Sequence, residues 1–448
     1  MARNPEIRAR IIVVAFLALV APAAGAQWPP QWSTLWQHPE PFRSAIPLRT
    51  HVAADGAIFA ATDVTHHNRS HVALARFEKA GNFAWLREHE ALSLAGLALL
   101  DGGRVAIAGD SPSGAPAIYI RVYDAASGEL IWSRETAGGQ TFVDTRHDTE
   151  QVAVDASGNL MVLASDDGDY VVIRYDPDGN ALAPWRRTID LGAPVYANGI
   201  VALADGGAII TGQGRFSGGG YVTVRLDAQG NEVYTDTDLG GIANPLGPAF
   251  AVLDSDGNVV VAAAPESPFG VPRAQVWKLA PDGTRLWTKV LPNPASVIDS
   301  MSVGGFRLAA NGDAIISVEV VRGFFRLVRL AAATGDVVWD VDAAIGGTPT
   351  TLAFAPNGRV LIGGHDFFMG GQVGRIAEFL SNGAPCRMHD DIGMFSRVKA
   401  SGSGAGWSVL GTTQFVHGLG NDALVRQFDA VGACTLSDSI FSDGFDGQ

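Results

Sequence analysis

The 448-residue chain is short of charge, of cysteine and of long apolar runs. Only 17% of its residues are charged, and acids outnumber Lys and Arg to leave a net charge of −14. Such a chain gains no counterion release from a polyanion, which argues against nucleic acid and anionic membrane surfaces as partners. Beyond the first segment no apolar run approaches the roughly 20 residues that a spanning helix needs, so no membrane span is expected. Amphipathic stretches of 3.6-residue period are also missing there, which leaves little room for helices. The two cysteines, Cys386 and Cys434, are far apart in sequence, and no G-x-S-x-G nucleophile elbow occurs. Glycine is abundant at 54 residues, and 47% of the chain is hydrophobic. That content is ample for a core, excludes disorder and points to many tight turns between buried strands.

The first 26 residues read as an address. Arg3, Arg8 and Arg10 precede an apolar stretch from Ile11 to Ala21, followed by Ala24-Gly25-Ala26. Positive, apolar and small-residue regions in that order make a signal peptide of residues 1–26, with Gln27 as the mature N-terminus. No cysteine lies near the cleavage point, so a lipid-modified N-terminus is unsupported. The product is expected to be secreted, periplasmic or held at the cell surface.

Internal periodicity is the strongest signal. A short alternating strand, a Gly turn and an aromatic recur as ALARFEKAGNFAW, YIRVYDAASGELIW, VVIRYDPDGNALAPW, VTVRLDAQGNEVY, QVWKLAPDGTRLW and RLVRLAAATGDVVW, with weaker copies GRIAEFLSNGAPC and ALVRQFDAVGAC. The turn glycines, Gly81, Gly128, Gly179, Gly230, Gly283, Gly335, Gly383 and Gly432, are separated by 47, 51, 51, 53, 52, 48 and 49 residues. Between them runs a second hairpin, as in VALADGGAIITG, AVLDSDGNVVVAA, RLAANGDAIIS and AFAPNGRVLIGG, whose turns fall at Gly56, Gly103, Gly158, Gly207, Gly257, Gly312 and Gly358. Each unit therefore holds four short strands, a to d. One such sheet cannot bury both faces alone, and stacking units radially protects their edges. The expected fold is all-β: an eight-bladed β-propeller of four-stranded antiparallel blades over residues 51–436, with seven blades as the alternative. A β-solenoid would need shorter repeats.

The Gly turn followed by Trp, as in Ala125-Ala126-Ser127-Gly128-Glu129-Leu130-Ile131-Trp132 and Ala332-Ala333-Thr334-Gly335-Asp336-Val337-Val338-Trp339, resembles the repeat of PQQ-like, quinoprotein-dehydrogenase-like β-propellers. The resemblance spans nearly all of residues 50–435. It implies that Trp85, Trp132, Trp185, Trp287 and Trp339 dock between adjacent blades as structural residues. Residues 27–50 carry a closing strand: Ser33-Thr34-Leu35-Trp36 matches a strand d, with Trp36 49 residues before Trp85, in phase with the array. Such an orphan strand would complete the last blade and lock the ring.

Alternating strand direction puts the short a-to-b and c-to-d turns at one end and the longer, irregular connections at the other. Binding is expected at the irregular end, on residues that break the repeat. The candidates there are His66 and His67; Asp144, Arg146, His147 and Asp148; Arg215 and Phe216; Asp366 and Phe367; and His389 and Asp390, the last pair read as part of the connection 387–397. Other motifs dissolve into the repeat. Arg76, Arg174, Arg225 and Lys278 each lie five residues before their turn glycine and read as a strand feature, not a basic patch. Asp176-Pro-Asp-Gly-Asn180 and Asp254-Ser-Asp-Gly-Asn258 resemble calcium loops but never reach the distant bidentate Glu, so they read as hairpin turns. His66, His67 and His71 could supply nitrogens, yet adjacent histidines on a strand point to opposite sides, so no metal is expected.

The resemblance also raises a PQQ-dependent dehydrogenase as an alternative. Family enzymes of the alcohol-dehydrogenase type typically carry adjacent cysteines near the quinone, which Cys386 and Cys434 are not, and their other ligands find no match. No cofactor is therefore expected. The reading is a noncatalytic, monomeric propeller acting as a binding or scaffold module for a protein or glycan. Cys386 and Cys434 occupy nearly the same phase of the final two units. An orphan strand at the ring's end would free the Cys434 segment to fold back toward blade 7 and form a disulfide, which export permits. The tail, residues 437–448, carries Ile-Phe-Ser-Asp-Gly-Phe-Asp, which resembles an IFxDGFE-type ending of exported Gram-negative proteins and implies a sorting or surface-attachment signal.

Overall fold

The computed structural model describes residues 32–36, 44–66, 69–112, 116–141, 149–166, 169–188, 195–214, 220–238, 248–264, 273–291, 301–320, 324–346, 348–354, 357–368, 371–392, 394–400, 406–414, 421–429 and 434. The leader of residues 1–26 and the tail of residues 437–448 lie outside them, as do His67, Asp144, Arg146, His147, Asp148, Arg215, Phe216 and Gly432. Every described element is a strand, and no described helix is long and apolar enough to cross a membrane.

The strands form eight four-stranded antiparallel sheets. Blades 1 to 7 each use four consecutive strands: Ser44–Glu90, Gly96–Ala137, Val152–Thr188, Val195–Asp238, Phe250–Val290, Met301–Gly346 and Thr348–Ile392. Blade 8 takes three strands from Met394 to Asp429 and its outer one from the other end of the chain. Trp32–Trp36 pairs antiparallel with Asn421–Asp429, with Trp36 opposite Ala423 and Trp32 opposite Gln427. The inner strands contact one another in sequence, and the first, Ser44–Val52, packs against the three blade 8 strands. The sheets thus form a closed ring, an eight-bladed β-propeller. Radial stacking leaves only short edge strands in each sheet, and the N-terminal strand pairs the blade 8 strand that would otherwise be open.

Local chemistry explains the blades. Strands b and c are runs of Val, Ile, Leu and Ala, such as Leu160–Ala164 and Tyr170–Ile173, buried on both faces because sheets stack on either side. Each c-to-d connection is a tight turn closed by a left-handed glycine, and a register shift follows where the extra residue is absorbed as a bulge. In the Asp176 turn the carboxylate accepts the backbone N–H groups of Asp178 at 3.0 Å and Asn180 at 2.8 Å, while the Asn180 amide donates to its other oxygen at 2.9 Å. The Asp254 turn repeats this with Asp256 and Asn258. Those carboxylates are spent on the turn, as hairpin chemistry requires. At the Asp205-Gly-Gly turn the left-handed residue is Gly206, one position before the expected Gly207.

Neighbouring blades are joined by one contact used six times. Trp85, Trp132, Trp185, Tyr234, Trp287 and Trp339 of strand d lie on Gly128, Gly179, Gly230, Gly283, Gly335 and Gly383 of the following blade. At Gly128, with φ +69°, a Cβ would stand 2.7 Å from the Trp85 ring, so both the backbone conformation and the close approach exclude a side chain. The indole N–H groups of Trp85, Trp132, Trp287 and Trp339 donate to turn carbonyls of the next blade at 3.1–3.3 Å. The strand c cations join them: Arg76, Arg225 and Lys278 donate to the carbonyls of Ala126, Pro281 and Ala332, and the Arg174 guanidinium stacks 4.0 Å from the Trp185 ring. Trp85, Trp132 and Trp185 are buried, whereas Trp287 and Trp339 stay half-exposed.

Blade 7 departs from this scheme. Pairing across strands c and d places Glu378 opposite Arg387, where the other blades set Arg76 opposite Trp85 and Lys278 opposite Trp287. Glu378 is fully buried, and Arg387 grips it with two nitrogens at 2.6 and 2.8 Å while Arg359 adds a contact at 3.0 Å. One residue before Arg387, Cys386 forms a disulfide with Cys434, with Cα atoms 4.5 Å apart. The bridge ties the chain beyond blade 8's third strand to the outer strand of blade 7.

Candidate functional site

Several sequence candidates lie inside strands. His66 ends strand b of blade 1, Ile58–His66, and Asp366 and Phe367 lie in strand b of blade 7, Val360–Phe368. Residues 387–391 do not form a connection: strand d of blade 7 runs Pro385–Ile392, carrying Asp390, and buries the His389 side chain. The charged run extends as strand because Glu378 and its neighbours on strand c pair with it residue by residue, leaving only position 393 before the next strand. The described residues do not bring these candidates into one cluster.

What the blades do assemble is a cleft in the seam between blades 1 and 2, towards the irregular end. Strand d of blade 1, Phe83–Glu90, turns Trp85, Arg87 and His89 towards blade 2. Trp85 covers Gly128, and Arg87 donates to the carbonyls of Gly128 and Ser127 at 2.6 and 3.0 Å, so the turn end of the seam is shut. At the other end His89 meets Tyr119, of strand c in blade 2, edge to face with ring centroids 4.7 Å apart. A cavity of about 500 Å³ opens beside them, also lined by Ser111, Arg121 and Glu135.

Polar groups here are buried without the partners that buried groups normally find. His89 is 8% exposed and neither ring nitrogen has a hydrogen-bond partner; the Tyr119 hydroxyl and Arg121 Nε also lack one. Burial, reinforced by the nearby Arg121 and His71, pushes the His89 imidazole down to about 3, so it is neutral at ordinary pH. Burial and the neighbouring Asp63 hold the Tyr119 hydroxyl well above its usual range. Asp63, on strand b of blade 1, is itself pushed up to about 7 by burial, against the opposing pull of the Leu94 N–H and Arg49. Its Oδ1 has no hydrogen-bond partner.

Other seams show what a closed version looks like. Thr136, four residues after Trp132 as His89 is after Trp85, hydrogen-bonds the Tyr175 hydroxyl at 2.6 Å. Asp238, four after Tyr234, accepts the Gln275 amide at 2.6 Å. Gln275 stands four residues before the last strand c residue, Leu279, as Tyr119 stands before Tyr123. His89 and Tyr119 thus occupy positions that elsewhere knit neighbouring blades together.

Both residues lie within strands and not in the connections where binding is expected. The signal was present in phase: His89 stands where the copies have Thr136, Asp238 and Leu291, and Tyr119 where blades 1 and 3 have Ala73 and Val171.

Comparison with known proteins agrees on the fold. Residues 355–387 match a family described as Domain of unknown function (DUF5122) beta-propeller. Sqt1 from Chaetomium thermophilum is 12% identical, with a TM-score of 0.56 over 88% of this chain and 96% of that one. A protein from Lactobacillus plantarum is 13% identical, with a TM-score of 0.50 over 75% and 96% of the two chains. No curated protein matches the sequence. The chain is a β-propeller.

Proposed function

We propose that this chain is an exported, noncatalytic, monomeric β-propeller that presents its irregular face to a protein or glycan of the cell envelope or the extracellular space. The observation that carries the reading is the asymmetry of the seam between blades 1 and 2. Its turn end is filled by Trp85 and Arg87, while its other end keeps a cavity and buried polar atoms without partners. Desolvated donors and acceptors beside a cavity cost folding free energy, and a ligand that pairs them recovers it. Export is supported by the order of charged, apolar and small residues in the first 26 positions and by the Cys386–Cys434 bridge, a bond favoured in oxidising compartments. A finer kinship with the PQQ-like propellers belongs to the same proposal, resting on the Gly-turn-then-Trp phrase and the seating of each ring on the next blade's glycine. The cysteines bridge residues 48 apart, so the adjacent pair of the dehydrogenases has no counterpart and no residue receives a catalytic role.

The test is a binding screen of the exported protein against envelope proteins and glycans, with the bound face mapped by hydrogen exchange. Protection is expected within residues 87–93, 109–121 and 133–137. Protection confined to c-to-d turns such as 124–129 and 176–180 would overturn the reading.

A further inference from the structure

The cleft's chemistry narrows the ligand further. Its ionic groups balance: Arg121 and Arg134 stand against Glu90 and Glu135. Most are already engaged. Arg134 donates to the Gly179 carbonyl at 2.8 Å, Glu90 faces Arg69 at 3.4 Å, and Glu135 accepts the Ser111 hydroxyl. An anion entering the cleft would meet Glu135, and a cation would meet Arg121.

The polar atoms left without partners are the two His89 nitrogens, the Tyr119 hydroxyl and Arg121 Nε. A neutral imidazole offers one donor and one acceptor, and a phenol offers both on one oxygen. That mixed set suits a molecule whose own groups both donate and accept, closely spaced and uncharged. Uncharged vicinal hydroxyls have this property, whereas carboxylates only accept and phosphates bring a negative charge. The cavity, about 500 Å³, lies within the range of small-ligand sites.

We propose that the cleft between blades 1 and 2 is a binding site for a neutral polyhydroxylated ligand, a mono- or disaccharide unit, held by His89, Tyr119 and Arg121. This deepens the binding-module reading of the same face and rests on it. His89 and Tyr119, packed edge to face, line the cleft together with Ser111 and Glu135.

Ligand-observed saturation-transfer NMR on the full exported protein tests the proposal, with glucose, galactose, mannose, N-acetylglucosamine, maltose, cellobiose and chitobiose as ligands and glucuronate and inorganic phosphate as charged comparators. At least one neutral sugar is expected to bind more tightly than either comparator. Tyr119→Phe, which removes a hydroxyl with no protein partner, is expected to weaken that binding about tenfold without lowering the melting temperature. His89→Gln, which keeps a donor and an acceptor, is expected to retain part of it. Absence of sugar binding by the folded wild type, tighter binding of a comparator, or full retention by Tyr119→Phe would overturn the proposal. The hydrogen-exchange map separates this failure from that of the broader reading: a macromolecule that protects residues 87–93 and 109–121 without sugar binding leaves the binding face standing and removes only the saccharide assignment.

Discussion

The seams between blades 1 and 2 and between blades 4 and 5 share one end and differ at the other. At the turn end both close alike, with Trp85 seated on Gly128 and Tyr234 on Gly283. Beyond it, the seam of blades 4 and 5 is knitted by charge-assisted bonds. Asp236 takes the Trp277 indole N–H at 3.0 Å and two nitrogens of Arg285 at 2.9 and 3.0 Å, and Asp238 takes Gln275. In the seam of blades 1 and 2 the corresponding positions hold Arg87, Arg121, His89 and Tyr119, and the last two touch without a hydrogen bond. The repeat thus carries stability at the turn end, leaving the other end free to vary from seam to seam.

The largest effect is expected from breaking what the seams share. Trp85→Ala or Trp132→Ala should cost about 3–5 kcal/mol in denaturant melts, and the half-exposed Trp339 less. A loss below about 1 kcal/mol for Trp132→Ala would mean that the rings do not carry the seams. Blade 7 bridges to the last segment through Cys386 and Cys434, which enclose three strands of blade 8. Replacing both with Ser should cost about 2–4 kcal/mol, and the wild type should show no reactive thiol when unfolded without reductant.

A smaller effect should come from grafting the closed seam onto the open one. His89 and Tyr119 stand where that seam holds the bonded pair Asp238 and Gln275, so the graft is His89→Asp with Tyr119→Gln. It should stabilise the protein by about 1–2 kcal/mol and abolish ligand binding, since the new polar groups satisfy each other. Unchanged binding by the grafted chain would separate the cleft from function.

The seam should also differ in its pH dependence. His89 titrates lower in the folded protein, at about 3, than an ordinary imidazole, so the stability linked to its neutral form is present above about pH 6.5 and lost as pH falls towards 3. Asp63 has the opposite sign: its contribution is full below about pH 4 and lost as pH rises through about 7. Melting temperatures of the wild type should therefore fall relative to His89→Gln between pH 7 and pH 4, and fall relative to Asp63→Asn between pH 4 and pH 8. Parallel curves would mean that neither group is desolvated.

The shared part of the seams was legible in the sequence because it repeats. Glycine turns and aromatics at a constant period identify which residues meet in every blade, and the cations before each turn glycine declare themselves by the same phase. The cleft was not legible in this way. His89 and Tyr119 are 30 residues apart on strands of different blades, and what makes them informative is the bond they fail to make. The blade 7 strand resembles a connection in sequence because Arg387, His389, Asp390 and Asp391 look solvent-bound. The buried Glu378 that receives Arg387 becomes visible only once strands c and d are aligned.

The central claim is that the seam of blades 1 and 2 holds a buried, neutral, unpartnered His89 in the free protein. Nitrogen-15 NMR of histidine-labelled protein, with His89 assigned by its absence from His89→Gln, measures this directly. The expected result is an imidazole that stays neutral, with no titration shift between pH 8 and pH 5, and changes its nitrogen shifts when the sugar binds. Titration of His89 near pH 6.5, as for an ordinary exposed histidine, would contradict the account.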